Sequence, residues 1–238
     1  MTKKLFRLFI IACSLIGVPL ARAQEKEAPK SKLVQFQMAI VKKGPKWSDA
    51  KTPEVARIYQ QHFEYVMSLL DSGKAIIAGP LGDDTGILGI FILRAKSAEE
   101  ATAWAVEDPA ARAGFHVNEM HPWWSADIFR KADSPLKFET VYLAFLKAGP
   151  NRKEGDGQLP EVQELQKAHL ANIVRLANLK KLVVAGPFGD DGALRGLFVF
   201  RVGSMQDAQD LCATDPMIKI DRLRGELHPW QVPAGVLP

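Results

Sequence analysis

The stretch that decides the fold, Ala78-Gly79-Pro80-Leu81-Gly82-Asp83-Asp84, returns almost unchanged as Ala185-Gly186-Pro187-Phe188-Gly189-Asp190-Asp191. The surrounding chain repeats at the same offset, and about a third of the positions from Pro53 to Trp123 are identical without a gap. Self-similarity at a fixed offset indicates a duplicated structural unit. The sequence therefore predicts two modules, residues 32–128 and 137–232, joined by a polar linker at residues 129–136.

Each module has the pattern β-α-β-β-α-β. Its first strand alternates apolar and polar residues, with Phe36, Met38 and Ile40 on one face. A proline suited to a first helical turn, Pro53, opens the first helix, and the Gly-Asp-Asp turn joins two strands as a hairpin. Ser97, followed three residues later by an acid, opens the second helix as a capping box.

This order of elements predicts an α+β fold in which each module is a ferredoxin-like antiparallel sheet with both helices on one face. The opposite face of such a sheet is apolar and must be covered. Because the chain carries two copies, we expect the two sheets to pack face to face as a pseudo-twofold dimeric α+β barrel within one chain. A single chain would then suffice, and the protein is predicted to be a monomer.

The order of short motifs resembles the YCII-related family. Each module has a helix with one histidine, a strand ending in Ala-Gly-Pro, the Gly-Asp-Asp turn, a Gly-x-Phe strand and a helix ending in Asp-Pro. The resemblance covers nearly the whole chain after residue 31, twice. It implies a ferredoxin-like barrel related to muconolactone isomerase, usually built from two chains, with a histidine and an aspartate proposed as the active pair.

One histidine in each module, His62 and His169, lies on the apolar stripe of the first predicted helix and should point inward. The acids that follow the next strand are Asp83 and Asp190, so these four residues are the predicted catalytic set, with one general acid/base histidine oriented by a carboxylate in each module. The alternative is a histidine satisfied by backbone atoms and an aspartate-rich turn without catalysis.

A second candidate set is Glu119, His121, Glu226 and His228. Period-two spacing places the acid and the imidazole of each module on one strand face, where they are predicted to contact substrate. The alternative is a pair of ionic contacts at the strand ends, with the adjacent Pro-Trp residues closing the barrel rim. His116 has no counterpart, since Leu223 takes its place, and no tight His/Cys cluster predicts a metal site. No cofactor motif is present, so none is predicted.

The N-terminal segment has the pattern of a signal peptide. Basic residues precede an apolar run from Leu8 to Leu20, and Ala21-Arg22-Ala23 has the small-x-small pattern of a cleavage site. The sequence therefore predicts a signal peptide at residues 1–23 and a periplasmic or secreted protein, with no membrane attachment after cleavage. A lipoprotein-like Ile10-Ile11-Ala12-Cys13 within the same run stays an alternative.

Composition limits the function further. The net charge of +4 comes from the segment that is predicted to be removed, so a nucleic-acid partner is not expected. The cysteine that remains, Cys212, has no partner for a disulfide. The expected function is a small-molecule enzyme of isomerase, lyase or dehydrochlorinase type that uses His–Asp acid/base chemistry. The alternative is a non-catalytic ligand-binding or structural barrel.

Overall fold

The computed structural model describes residues 32–132 and 135–238, and the predicted signal peptide lies outside these ranges. The first module contains β1 (Leu33–Lys43), α1 (Pro53–Asp71), β2 (Ala75–Pro80), β3 (Ile87–Leu93), α2 (Ala98–Glu107), α3 (Pro109–Arg112) and β4 (His116–Ala126). The second contains β5 (Phe138–Ala148), α4 (Pro160–Asn178), β6 (Leu182–Pro187), β7 (Leu194–Phe200), α5 (Met205–Cys212), α6 (Pro216–Lys219) and β8 (Leu223–Pro233).

Each module forms a four-stranded antiparallel sheet, with the orders β2-β3-β1-β4 and β6-β7-β5-β8. The first and last strands of each module pair along their whole length, from Leu33 with Ala126 to Lys43 with His116 in the first module. Helix α1 begins where the Thr52 side chain accepts a hydrogen bond from the Val55 N–H, and Ser97 caps α2 in the same way. The predicted α+β class and element order are confirmed.

The two sheets share one apolar core. Phe36, Met38 and Ile40 from β1 belong to the same buried cluster as Leu143 and Phe145 from β5, and all are at most 3% exposed. Residues 37, 39 and 41 on β1 point to the opposite face, toward the helices, because successive side chains of a strand alternate between its two faces. The face-to-face packing predicted from the uncovered sheet faces is therefore confirmed.

The barrel is closed by two equivalent seams, where β2 meets β8 and β4 meets β6. At these seams the indole N–H of Trp230 donates to the Gly79 carbonyl and that of Trp123 donates to the Gly186 carbonyl, at 3.1 and 3.2 Å. A Cβ atom on Gly79 would lie 1.7 Å from the Gln231 carbonyl oxygen, so only glycine permits this approach. The repeated Ala-Gly-Pro and His-Pro-Trp motifs thus belong to the seams.

The residues that follow β8 pack into the barrel core. Val236 and Leu237 are buried in the barrel core, and the Arg130 N–H donates to the Val236 carbonyl at 2.9 Å. The C-terminal residues therefore cover part of the core next to the linker. Within the described ranges no helix is both long and apolar enough to span a membrane.

Candidate active site

Each module has a pocket between its first long helix and the outer face of its sheet. The first pocket, between α1 and the first sheet, has a volume of about 320 Å³, and the second, between α4 and the second sheet, about 460 Å³. Phe138 of the second module lines the first pocket, and its equivalent, Leu33 of the first module, lines the second. Each pocket is therefore completed by the first strand of the other module.

A histidine at the wall of the first pocket binds an aspartate that does not itself line the pocket. His62 projects inward from α1, and its Nδ1 lies 2.8 Å from Oδ2 and 2.9 Å from Oδ1 of Asp108. Asp108 is the N-cap of α3, where its Oδ1 also accepts the Ala110 N–H at 2.9 Å. The cap and the proline that follows it fix the carboxylate, and the carboxylate in turn fixes the imidazole.

The second pocket repeats this arrangement. His169 Nδ1 lies 2.7 Å from Asp215 Oδ2, while Asp215 Oδ1 accepts the Met217 N–H at 2.9 Å. Asp215 is completely buried, and the two residues of each pair are separated by the same number of positions, 46, in both modules. The duplicated unit therefore carries a duplicated His–Asp pair.

The Asp108 carboxyl is held in its ionised form. Burial alone would raise its pKa, but the imidazoles of His116 and His62 and the Ala110 N–H together hold the pKa of Asp108 well below its usual range. An ionised carboxylate only accepts hydrogen bonds, so the proton between the two residues lies on His62 Nδ1. In neutral His62 the lone pair is then on Nε2, the nitrogen on the far side of the ring from Asp108.

His116 adds a third polar group in the first module alone. Its ring meets that of His62 edge to face, with centroids 4.8 Å apart, and its Nδ1 lies 3.8 Å from Asp108 Oδ2. That nitrogen is buried and has no hydrogen-bond partner among the described residues. In the second module Leu223 occupies this position.

His62, Asp108 and His116 could together hold a metal ion, since one ligand atom from each lies within 4.8 Å of the others. Imidazole and carboxylate are ligands that zinc and iron accept. The 2.8 Å separation of His62 and Asp108 is that of a hydrogen bond, and a metal ion between them would have to replace the proton on Nδ1.

The structure corrects the predicted His–Asp pairing. Asp83 lies 2.8 Å from Nδ1 of His228, and Asp190 lies 2.6 Å from Nδ1 of His121, so both acids bind histidines of the other module across the seams. The prediction matched each histidine with the acid that follows the next strand, but that strand is a barrel edge whose turn faces the other sheet. Asp108 and Asp215 take the expected place instead.

The second predicted set also lies at the seams. Glu119 binds Lys42 at 2.6 Å and approaches His121 Nε2 at 3.9 Å, and Glu226 Oε1 lies 3.3 Å from His228 Nε2. Neither acid and neither histidine lines the two pockets. The arrangement matches the alternative of ionic contacts at the strand ends next to the Pro-Trp residues.

Cys212 does not supply a nucleophile. The thiol is buried against α6 and β8, and burial together with the nearby Asp215 raises its pKa to about 12. A thiolate is the reactive form of cysteine, and it is scarce at such a pKa near neutral pH. The groups suited to proton transfer in both pockets are therefore the histidines and the carboxylates that bind them.

Comparison with solved structures supports the architecture. A haem-binding protein from Thermus thermophilus matches with a TM-score of 0.52 and 14% identity, over 87% of this chain and 93% of that protein. A mutant chlorite dismutase from Candidatus Nitrospira defluvii matches with a TM-score of 0.55 and 12% identity, over 84% and 92% of the two chains. At such identities the likeness shows a shared dimeric α+β barrel fold.

Comparison with curated protein sequences found no match. The family comparison matches one part of the chain. This part contains the histidine of the first pocket, the aspartate that binds it and the seam motifs of the first module. Residues 36–123 match the family model of the YCII-related domain.

Proposed function

We propose that each pocket binds a small organic molecule and transfers a proton to or from it through its His–Asp pair. The observation that carries this proposal is a histidine that lines each pocket and binds an aspartate, His62 with Asp108 and His169 with Asp215, at hydrogen-bond distances of 2.7 to 2.8 Å. Such a carboxylate orients the imidazole and stabilises its protonated form. Isomerisation and elimination are the reaction types that this chemistry serves.

In this mechanism His62 Nε2 takes a proton from the bound ligand and returns it to a different atom of the same ligand. Asp108 keeps its charge throughout, because hydrogen bonds to the His62 Nδ1–H and the Ala110 N–H favour the ionised form. Apolar and aromatic residues form most of the remaining wall of the first pocket. This wall would exclude water from a reactive intermediate and strengthen the interaction between the carboxylate and the imidazolium.

The second module is proposed to be a further copy of the YCII-related domain, since its strands, helices and His–Asp pair repeat those of the first. The complete barrel within one chain supports a monomer, and the N-terminal sequence supports export to the periplasm or beyond the cell. The haem binding of the Thermus thermophilus protein is not carried over, because 14% identity supports the fold alone.

Proton transfer can be tested without knowing the natural substrate. A panel of small lactones and ketones is incubated with the protein in D₂O, and deuterium incorporation at carbon is followed by NMR. The combined variant His62→Gln and His169→Gln should lower the exchange rate by at least about 100-fold, since general acid/base groups contribute rate factors of that order.

The matched control is the combined variant His121→Gln and His228→Gln. It removes the two seam histidines, which also bind aspartates but lie outside the pockets, and it should lower stability while leaving the exchange rate of the folded protein within about threefold. Binding of panel compounds without exchange in the wild-type protein would favour the non-catalytic ligand-binding barrel. Equal exchange in the two combined variants would reject the proposed role of the pocket histidines.

A further inference from the structure

The two pockets differ in the charge of their walls. Leu88 on β3 lines the first pocket, and the equivalent residue on β7, Arg195, lines the second. The second pocket is also lined by Arg152, which lies in the longer loop that precedes α4 in that module. The first pocket has neither lysine nor arginine among its lining residues.

The two arginines of the second pocket form no ion pair with an acidic side chain among the described residues. Arg195 donates one hydrogen bond, to the Gly192 carbonyl at 3.2 Å, and Arg152 forms no ion pair there. An acid in the same loop, Asp156, already binds Arg222, whose Nη2 lies 2.8 Å from its Oδ1. Partial burial and the positive charges of Arg195 and Arg222 lower the pKa of Arg152, and the negative charge of Asp156 offsets this only in part. Like charges at this pocket thus repel each other, and an anion would relieve that repulsion.

Apart from Gln166 and His169, the rest of the second pocket wall is apolar. Phe198 stacks against the ring of His169 with an angle of 18° between the rings, and Leu170 and Ile173 from α4 also line the pocket. A ligand that suits this wall has a compact apolar body and an anionic group. Guanidinium groups match the planar carboxylate and the phosphate group, to which they donate two parallel hydrogen bonds.

We infer that the second pocket binds a small organic oxyanion, a carboxylate or a phosphate monoester with an apolar body, through Arg195 and Arg152, while the first pocket takes uncharged ligands. This inference rests on one part of the proposed function, namely that the second pocket binds a ligand. Anion binding itself requires the arginines and not the proton transfer by His169. The two properties can therefore fail separately.

The probes are 4-fluorobenzoate, 4-fluorophenyl phosphate and the neutral 4-fluorobenzamide, whose binding is measured by ¹⁹F NMR titration. We expect one of the anions to bind more tightly than the amide, and Arg195→Leu to weaken its binding by roughly tenfold or more. That substitution installs the residue type of the first pocket. Arg130→Leu, an exposed position outside both pockets, changes the charge equally and should have no effect.

Two further variants keep the inference falsifiable. Arg195→Gln preserves much of the side-chain volume if the leucine variant does not fold, and it should show the same loss of affinity. His169→Gln should retain anion binding even where it abolishes proton exchange. Comparison of the carboxylate with the phosphate identifies the anion class. Equal affinity for the amide and both anions, or equal behaviour of Arg195→Gln and Arg130→Leu, would overturn the inference.

Discussion

The two modules are alike at the seams and different at the pockets. The seam residues come in identical pairs, Trp123 with Trp230 and Gly79 with Gly186, because each module must close the barrel against the other. Both pocket walls keep the histidine that binds an aspartate, but Leu88 of the first wall is replaced by Arg195 in the second. Closure of the barrel thus constrains both copies equally, whereas the ligand-binding surface is free to differ between them.

The seams should show the largest and most symmetric effect. Trp123 and Trp230 are both completely buried, and each donates a hydrogen bond to a backbone carbonyl of the other module. Trp123→Ala and Trp230→Ala should each lower the free energy of unfolding by about 3–5 kcal/mol, measured by urea denaturation. A much smaller loss in one variant than in the other would show that the two seams are not equivalent.

The first His–Asp pair should make stability depend on pH. The pKa of Asp108 is lower in the folded protein than its ordinary value, so its ionised form stabilises the fold above about pH 4. As pH falls toward the folded pKa, this contribution is lost. Asp108→Asn should therefore lower the free energy of unfolding by about 1–3 kcal/mol at about pH 7.

Urea denaturation at several pH values measures this effect. The difference between the wild-type protein and Asp108→Asn should shrink as pH falls below about 4, because there Asp108 binds a proton in the unfolded chain and not yet in the folded protein. The exposed Asp84→Asn is the matched control. A difference between the wild type and Asp108→Asn that stayed constant down to low pH would contradict a depressed pKa.

A smaller effect is expected where only one module has a polar residue. His116→Leu removes a buried nitrogen that lacks a hydrogen-bond partner among the described residues. It also introduces leucine, the residue that the second module has at this position. The free energy of unfolding should therefore change by less than about 1 kcal/mol. The reverse change, Leu223→His, buries a new polar group and should cost about 1–3 kcal/mol. NMR titration should also show the pKa of Asp108 rising in His116→Leu, because one of the groups that lower it is lost.

The smallest effect concerns the ends of the long helices. Gly73 follows α1 with φ 72°, and the equivalent residue after α4, Lys180, has φ 56°, a conformation that glycine adopts more easily. Lys180→Gly should raise the free energy of unfolding by up to about 1 kcal/mol, while Gly73→Lys should lower it. Opposite signs in thermal unfolding would confirm that both positions are left-handed helix ends.

The sequence was sufficient to predict the fold but assigned the wrong acids to the histidines. Alternation on β1 and the duplicated order of elements predicted the sheets and their packing. Distance along the chain suggested Asp83, yet β2 is an edge strand and its turn reaches His228 in the other module. The contact between Asp108 and His62 depends on how α3 packs against α1, which no local pattern encodes. The available signal for Asp108 was the repeated Asp-Pro that ends the second helix of each module.

The difference in charge between the two pocket walls could also not be predicted from the sequence. Leu88 and Arg195 occupy equivalent positions, but only the packing of the helices against the sheets shows that both face a pocket. The buried C-terminal residues were missed for a similar reason, because they follow the last strand without a recognisable element of their own. Contacts between elements that are distant in the sequence therefore account for what was missed.

The most direct test compares two pairs of aspartates in the D₂O exchange assay. The combined variant Asp108→Asn and Asp215→Asn removes the carboxylates that bind the pocket histidines. The combined variant Asp83→Asn and Asp190→Asn removes the carboxylates that bind the seam histidines. The account predicts that the first combination lowers proton exchange by at least about 100-fold and that the second leaves exchange by the folded protein nearly unchanged. Loss of exchange in the second combination but not in the first would contradict the assignment.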